Sequence, residues 1–249
     1  MADEETKDPT QYEKQVVAYI TRFIKKNKAP INIEIEGLGV FKMISGAIQV
    51  DSAIKRAGGV TSDPKADIIL YTDKKKILDP KNIFISHKKA GGPEVFQQYG
   101  GITEKAGVDI YMHDEVQDFL KNAAKFVDDK GLIKPLMRKV KDKTLICKSI
   151  FGPEFTKTGK TFGLQHVNLI GQGMPTLTPT RKLNTFKLTF SHMSISGDLS
   201  NFNQRYTPVF GATFRRKRGF NYKGVQYTGV RVGIYPKALV ETRTNLTEI

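Results

Sequence analysis

The sequence predicts an α/β fold, a mixed central sheet flanked by helices, followed by a β-rich basic region. Three observations predict it. Apolar residues recur at helical spacing near the start (Tyr12, Val16, Ile20, Phe23, Ile24) and again at Val116, Phe119, Leu120, Ala123 and Val127, the signature of helices with one buried face. Between these two segments lie runs with strand character. From about Thr144 onward Thr, Phe, Val, Gly and Tyr dominate, with turn-like Gly and Asn pairs, which is the composition of strands.

Taken in order, the first helix spans residues 11–26, opened by a capping box of Thr10 and Glu13. INIEIEGLGVF follows, with Ile31, Ile33 and Ile35 alternating with Asn32, Glu34 and Glu36, so one face of a strand is buried. A short helix over residues 48–57 ends at Gly58-Gly59. Residues 66–72 and 82–86 read as adjacent strands, separated by a charged turn with Asp73, three lysines and Asp79-Pro80. A short helix begins after Gly91-Gly92-Pro93, a longer one covers residues 114–127, and Pro135 closes the region. The rest reads as mostly antiparallel strands. The expected division is 1–143 for the α/β core and 144–249 for the basic β-rich region.

The formal charge is +15 with a pI near 9.7, beyond what solubility requires, and such a potential attracts polyanions. Residues 178–249 hold twelve Lys or Arg against three Asp or Glu, so this part supplies +9 of the charge. Arg215, Arg216, Lys217 and Arg218 lie between Phe214 and Phe220 in a hairpin-like stretch. Arginine pairs with phosphate through two parallel hydrogen bonds, which makes this run the expected nucleic-acid contact, with most neighbouring aromatics in a small core.

Composition also excludes several classes. A single cysteine, Cys147, and four scattered histidines leave neither a disulfide nor a structural zinc site. No apolar run nears the roughly 18 residues of a membrane span, and the first ten residues are acidic and polar where a signal peptide is basic and then apolar, so a cytoplasmic protein is expected. GPEFTKTGKT, residues 152–161, ends like a phosphate-binding loop, but six residues separate its glycines where that loop needs four. No nucleotide cofactor is expected. His113, His166 and His192 have no clustered partners in the sequence, which disfavours a histidine-based hydrolase.

The informative stretch is residues 62–101. Asp67 opens one apolar strand, while Ser86 and Lys88 finish the next. Side chains alternate along a strand, so Ser86 and Lys88 share a face, and a neighbouring strand brings Asp67 beside them. A hard carboxylate can hold Mg²⁺, which polarises a phosphate and acidifies a water. An ammonium beside it positions that water or neutralises charge developing on the phosphorus oxygens. The plainer alternative is that Asp67 pairs with Lys65 and that Ser86 and Lys88 form an ordinary polar strand end.

This stretch resembles the PD-(D/E)XK nuclease superfamily. Its Pro-Asp element has a relaxed counterpart in Pro64-Lys65-Ala66-Asp67, and its (D/E)-x-Lys element has one in Ser86-His87-Lys88. FISHKKAGG and FQQYGG are similar to strings in uncharacterised phage-encoded proteins. The resemblance implies a restriction-endonuclease-like core and Mg²⁺-dependent hydrolysis of DNA phosphodiesters, with Mn²⁺ as a substitute metal. It implies Asp67 and the His87 backbone carbonyl as metal ligands, Lys88 at the attacking water, and Ser86 and Gln98 in supporting roles. Gln97 is the neighbouring alternative to Gln98. Ser86 stands where the family usually has Asp or Glu, so a second carboxylate is sought from Glu36, Glu34 or Asp51. Duplex DNA is the implied partner, in host cytoplasm or virion, with homodimer and virion assembly both open. The alternatives are an inactive DNA-binding or packaging protein on the same scaffold, and an RNA-binding structural protein, which leaves Asp67 and Ser86-x-Lys88 unexplained.

Overall fold

Residues 9–60, 63–96, 98–130, 135–157 and 161–249 are described by a computed structural model. The Thr10 side chain, Gln97 and residues 158–160 of the glycine-lysine loop lie outside them. In chain order, helix α1 (Pro9–Lys26) precedes strands β1 (Ile31–Ile35), β2 (Gly39–Ile44) and β3 (Gly46–Gln49), helix α2 (Ser52–Ala57), and strands β4 (Ile68–Tyr71) and β5 (Ile83–Lys88). Then come β6 (Gly100–Gly101), helices α3 (Val108–Tyr111) and α4 (Asp114–Lys130), β7 (Leu136–Lys139) and helix α5 (Lys143–Phe151). The chain continues through β8 (Leu169–Gln172), β9 (Thr176–Pro179), β10 (Thr185–Thr189) and β11 (His192–Ile195). It ends with β12 (Pro208–Tyr222), β13 (Val225–Pro236), helix α6 (Lys237–Glu241) and β14 (Thr247–Glu248).

These elements form two compact units, each made of two stretches of chain. One is Met1–Ala90 with Gly159–Asp198, the other Gly91–Thr158 with Leu199–Ile249. The partition does not follow the expected boundary at 143. Its cause is sheet completion: β10 pairs parallel to β1, and β8 parallel to β5, so strands after residue 144 close sheets begun before residue 90.

In the first unit the sheets run β2-β1-β10-β9 and β11-β8-β5-β4-β3. Val16, Ile20 and Ile24 of α1 are buried in one cluster with Ile31, Ile33 and Ile35 of β1, Ile68 and Leu70 of β4, and Ile83 and Ile85 of β5. The four-residue spacing on the helix and the two-residue spacing on the strands place those side chains on facing surfaces. The core is therefore built from the same periodicities that mark the elements in the sequence.

The second unit is organised on the sheet β14-β7-β12-β13-β6. Phe119 of α4 stacks on Phe210 of β12 with ring centroids 5.0 Å apart, and the Arg138 guanidinium covers both rings. Such a cation over an aromatic face adds attraction to the apolar burial.

Two local expectations are corrected. Residues 48 and 49 are not helical but belong to β3, paired antiparallel with β4; the helix begins only at Ser52, where the Asp51 carboxylate accepts the Ile54 N–H at 2.8 Å. Residues 143–151 are helix α5, not strand, capped by Asp142, whose carboxylate accepts the Leu145 N–H at 2.7 Å. Most of α5 is buried, so its sequence has no polar face to reveal a helical period. The later strands are mostly antiparallel, as expected, although β8, β10 and β14 each also have a parallel neighbour. Among the described residues no helix is long and apolar enough to cross a membrane.

Candidate active site

Ile68 of β4 pairs with Ile85 of β5 in an antiparallel ladder, which sets Asp67 beside the end of β5. Asp67 donates its backbone N–H to the Ile85 carbonyl at 2.8 Å. Its carboxylate then takes up the groups at that strand end: Oδ2 accepts the His87 N–H at 2.7 Å and the Ser86 hydroxyl at 3.2 Å. Lys88 Nζ lies 3.6 Å from the same oxygen. The structure thus brings Asp67, Ser86 and Lys88 together. Among the described residues Asp67 Oδ1 accepts no hydrogen bond, and the Asp67 side chain is 25% exposed. Oδ2 is held by protein donors, and the Asp67 side chain as a whole is partly exposed.

Alternation along β5 separates this group from the core. Ile83 and Ile85 enter the cluster built on α1, and the His87 ring stacks on Tyr12 of the same helix with centroids 5.8 Å apart. The other ring neighbour of His87 is Phe190, and its Nε2–H donates to the Gly173 carbonyl at 2.9 Å. Gly173 holds φ at 84°, the left-handed region where glycine carries no Cβ penalty. Burial pushes the His87 pKa down, against the Gly173 bond and the Asp67 charge, which favour the proton. The His87 side chain is therefore packed on the core side of the strand, while its backbone N–H is given to Asp67.

Local pattern marks Lys65 only as a plain pairing partner of Asp67. It lies two residues before Asp67, and its backbone N–H donates to the Leu164 carbonyl at 2.8 Å. Loss of water around its ammonium, then the charge of Lys88, pushes its pKa down to about 7, against the opposite pull of Asp67. Lys65 and Lys88 are therefore both electrostatically coupled to one carboxylate. The signal in the sequence is the spacing of Lys65 and Asp67, but only the fold shows that Lys88 shares the charge.

The chain is similar to a type II restriction enzyme. Over 234 residues, 89% of this chain, it is 28% identical to type II restriction enzyme CviJI of Paramecium bursaria Chlorella virus IL3A. The chain spans 60% of that protein's length. No protein-family model and no solved structure matches.

The remaining expected residues fall elsewhere. Glu34 and Glu36 sit on or beside β1 in the other sheet of the first unit, where their carboxylates pair with Lys182 and Lys187. Asp51 is occupied as the α2 cap. Gln98 belongs to the second unit, with its side-chain amide against Gly233 and Gly101. Among the described residues no group of three or more His, Cys, Asp or Glu is placed to hold a metal. The donors present are hard oxygens around one carboxylate. That set suits Mg²⁺, which keeps several waters and is commonly bound by one or two carboxylates plus substrate phosphates.

The basic run of residues 215–218 lies in the long hairpin of β12 and β13, in the second unit. Its four side chains are exposed, and among the described residues none is ion-paired with a carboxylate. Phe220 and Tyr227, which pair across the hairpin, are buried and stacked with centroids 5.0 Å apart.

His87, His166 and His192 each have a pKa lowered from 6.5 mainly by burial. Below 6.5 the unfolded chain takes up protons that the folded chain resists, so their contribution to stability is present above 6.5 and is lost as pH falls toward the lowered folded values. The histidines are expected to make the midpoint of denaturant unfolding decrease between about pH 6.5 and 5, and Lys65, with its pKa pushed down to about 7, is expected to make it rise from about pH 7 toward 10.5. A midpoint that rises on acidification over either window contradicts this.

Proposed function

We propose that this chain is a Mg²⁺-dependent DNA endonuclease of the PD-(D/E)XK type. One observation carries the assignment, the convergence of Asp67, Ser86 and Lys88 at the ends of adjacent strands, with Lys88 Nζ 3.6 Å from Asp67 Oδ2. The similarity to a type II restriction enzyme supports DNA as the substrate class.

Mg²⁺, or Mn²⁺ in its place, supplies polarisation of the scissile phosphate and an acidified water when bound. Asp67 would hold the cation, with the His87 carbonyl as a second oxygen ligand. Ser86 and the His87 N–H hold Oδ2, so the carboxylate cannot rotate away from its task. The Lys88 ion pair is longer than a strong charge-assisted hydrogen bond, which leaves its ammonium able to meet the attacking water or a phosphate oxygen. When protonated, Lys65 adds positive potential beside the carboxylate. Gln98 and Glu36 have no contact that assigns them a step.

One observation favours a second reading, a DNA-binding protein on the same scaffold without chemistry: Ser86 occupies the position of a second carboxylate, and no three-residue acidic or histidine group surrounds it among the described residues. Ser86→Glu separates the two. In a real metal site the added anionic ligand tightens Mg²⁺ binding, by about tenfold or more if it enters the shell. A parent and a Ser86→Glu protein that both show no metal response in titration calorimetry support the inactive scaffold.

Docking is assigned to the basic hairpin. Each phosphate contact contributes about 0.9 to the slope of log affinity against log salt on B-DNA. Replacing Arg215, Arg216 and Arg218 together by Gln is expected to weaken duplex binding and to reduce that slope by about 0.9 for each phosphate no longer neutralised. Unchanged affinity and slope, read by fluorescence anisotropy over a salt series, place the docking surface elsewhere.

A further inference from the structure

The part of the hairpin beyond the sheet carries a feature that neither the catalytic residues nor phosphate contact explains. β7 pairs with β12 over residues 209–212, and β6 pairs with β13 at Gly233 and Ile234. Past those positions the described ladder consists of β12 and β13 alone, a two-stranded ribbon. Its register breaks once. Phe214 pairs with Val230, the next pair is Gly219 with Thr228, and residues 215–218 bulge out opposite Gly229. Lys217 at φ 65° and Gly229 at φ 76° adopt left-handed backbone at this bulge.

Phe214 is the residue at which the ladder breaks. Its cross-strand partner Val230 is fully buried, whereas Phe214 is 67% exposed. Among the described residues it is the one aromatic among the large exposed apolar side chains. A single exposed apolar residue is ordinary. This one adjoins four consecutive exposed cations on a bulge, and bulges re-aim side chains. The other aromatics nearby are used: Phe220 and Tyr227 form the ribbon's own stacked core, and Tyr222 carries the Lys223 ammonium over its ring.

We propose that Phe214 is a wedge that inserts between base pairs of duplex DNA while Arg215, Arg216, Lys217 and Arg218 hold the flanking phosphates. The inference rests on the DNA-binding part of the function proposed above. An apolar ring inserted at a step partly unstacks it and distorts the duplex, and the cations alongside offset the approach of phosphates. Charge selects the polyanion, and the flat, exposed ring between strand and cations selects a stacked, deformable duplex rather than phosphate alone. The wedge gives the protein a preference for steps that unstack readily, such as pyrimidine–purine steps, without a hydrogen bond to any base.

The test needs no knowledge of a target sequence. A nicked plasmid is closed by ligase in the presence of the 249-residue Asp67→Asn protein, and the linking number of the product is read on a gel, with binding measured on the same samples. Insertion is expected to shift the topoisomer distribution in proportion to bound protein. Adding Phe214→Ala is expected to abolish the shift while salt-sensitive binding persists, and adding Phe214→Trp is expected to preserve it. Because Phe214 is mostly exposed, unchanged thermal unfolding of each variant is expected. An equal shift with Phe214→Ala, or bound protein without any shift, overturns the wedge alone. No binding by a folded Asp67→Asn protein overturns the DNA-binding reading and the wedge with it.

Discussion

Asp67→Asn is expected to abolish metal-dependent cleavage and to lower Mg²⁺ affinity by more than about 10², since loss of a direct ligand exceeds the 10- to 100-fold typical of outer-shell partners. The fold is expected to survive. Asparagine keeps an oxygen that can accept the His87 N–H and the Ser86 hydroxyl, the two hydrogen bonds that tie this residue to β5. What the substitution removes is charge. Lys88 and Lys65 are deprived of the anion that both are coupled to, and the cation of its one carboxylate. Titration calorimetry with Mg²⁺ and Mn²⁺, alongside circular dichroism, checks both halves: retained metal affinity in the folded variant excludes Asp67 as the principal ligand.

Lys88→Ala separates chemistry from binding. If the ammonium acts on the attacking water or on charge developing at phosphorus, its removal lowers the single-turnover rate by about 10² or more, about 2.7 kcal/mol of transition-state stabilisation. Metal affinity is expected to stay or rise, because Lys88 competes with the cation for Asp67. DNA affinity is expected to change little beside the contribution of the basic hairpin. A Lys88→Ala protein that cleaves at the parental rate assigns the pair with Asp67 a structural role only.

The parts of this arrangement legible in the sequence are those governed by local period. Ile31, Ile33 and Ile35 alternate and are buried, and Ser86 and Lys88, two residues apart, both reach Asp67 Oδ2. What local pattern does not carry is which distant strands meet. β8 and β10 return from beyond residue 160 to lie parallel to β5 and β1, and nothing in their sequences announces those partners. Helix α5 is hidden for a related reason, because a helix buried over most of its surface has no polar stripe. Residues 48 and 49 read as the start of the helix that ends at Gly58-Gly59, whereas pairing with β4 and the Asp51 cap decide the local structure. Lys65 is visible as a residue but not as a group coupled to Lys88, since that coupling exists only once the strands are side by side. Phe214 is the converse case: the alternating aromatics of the hairpin predict packing, and only the register break sets this ring apart from Phe220 and Tyr227.

The most direct test is cleavage of supercoiled plasmid by the parent and the Asp67→Asn protein, purified in parallel and assayed with Mg²⁺, with Mn²⁺ and with chelator. The proposed function predicts nicked or linear product from the parent with either metal, none with chelator, and none from Asp67→Asn. Undiminished cleavage by Asp67→Asn, or a parent that binds DNA and neither binds metal nor cuts, contradicts it.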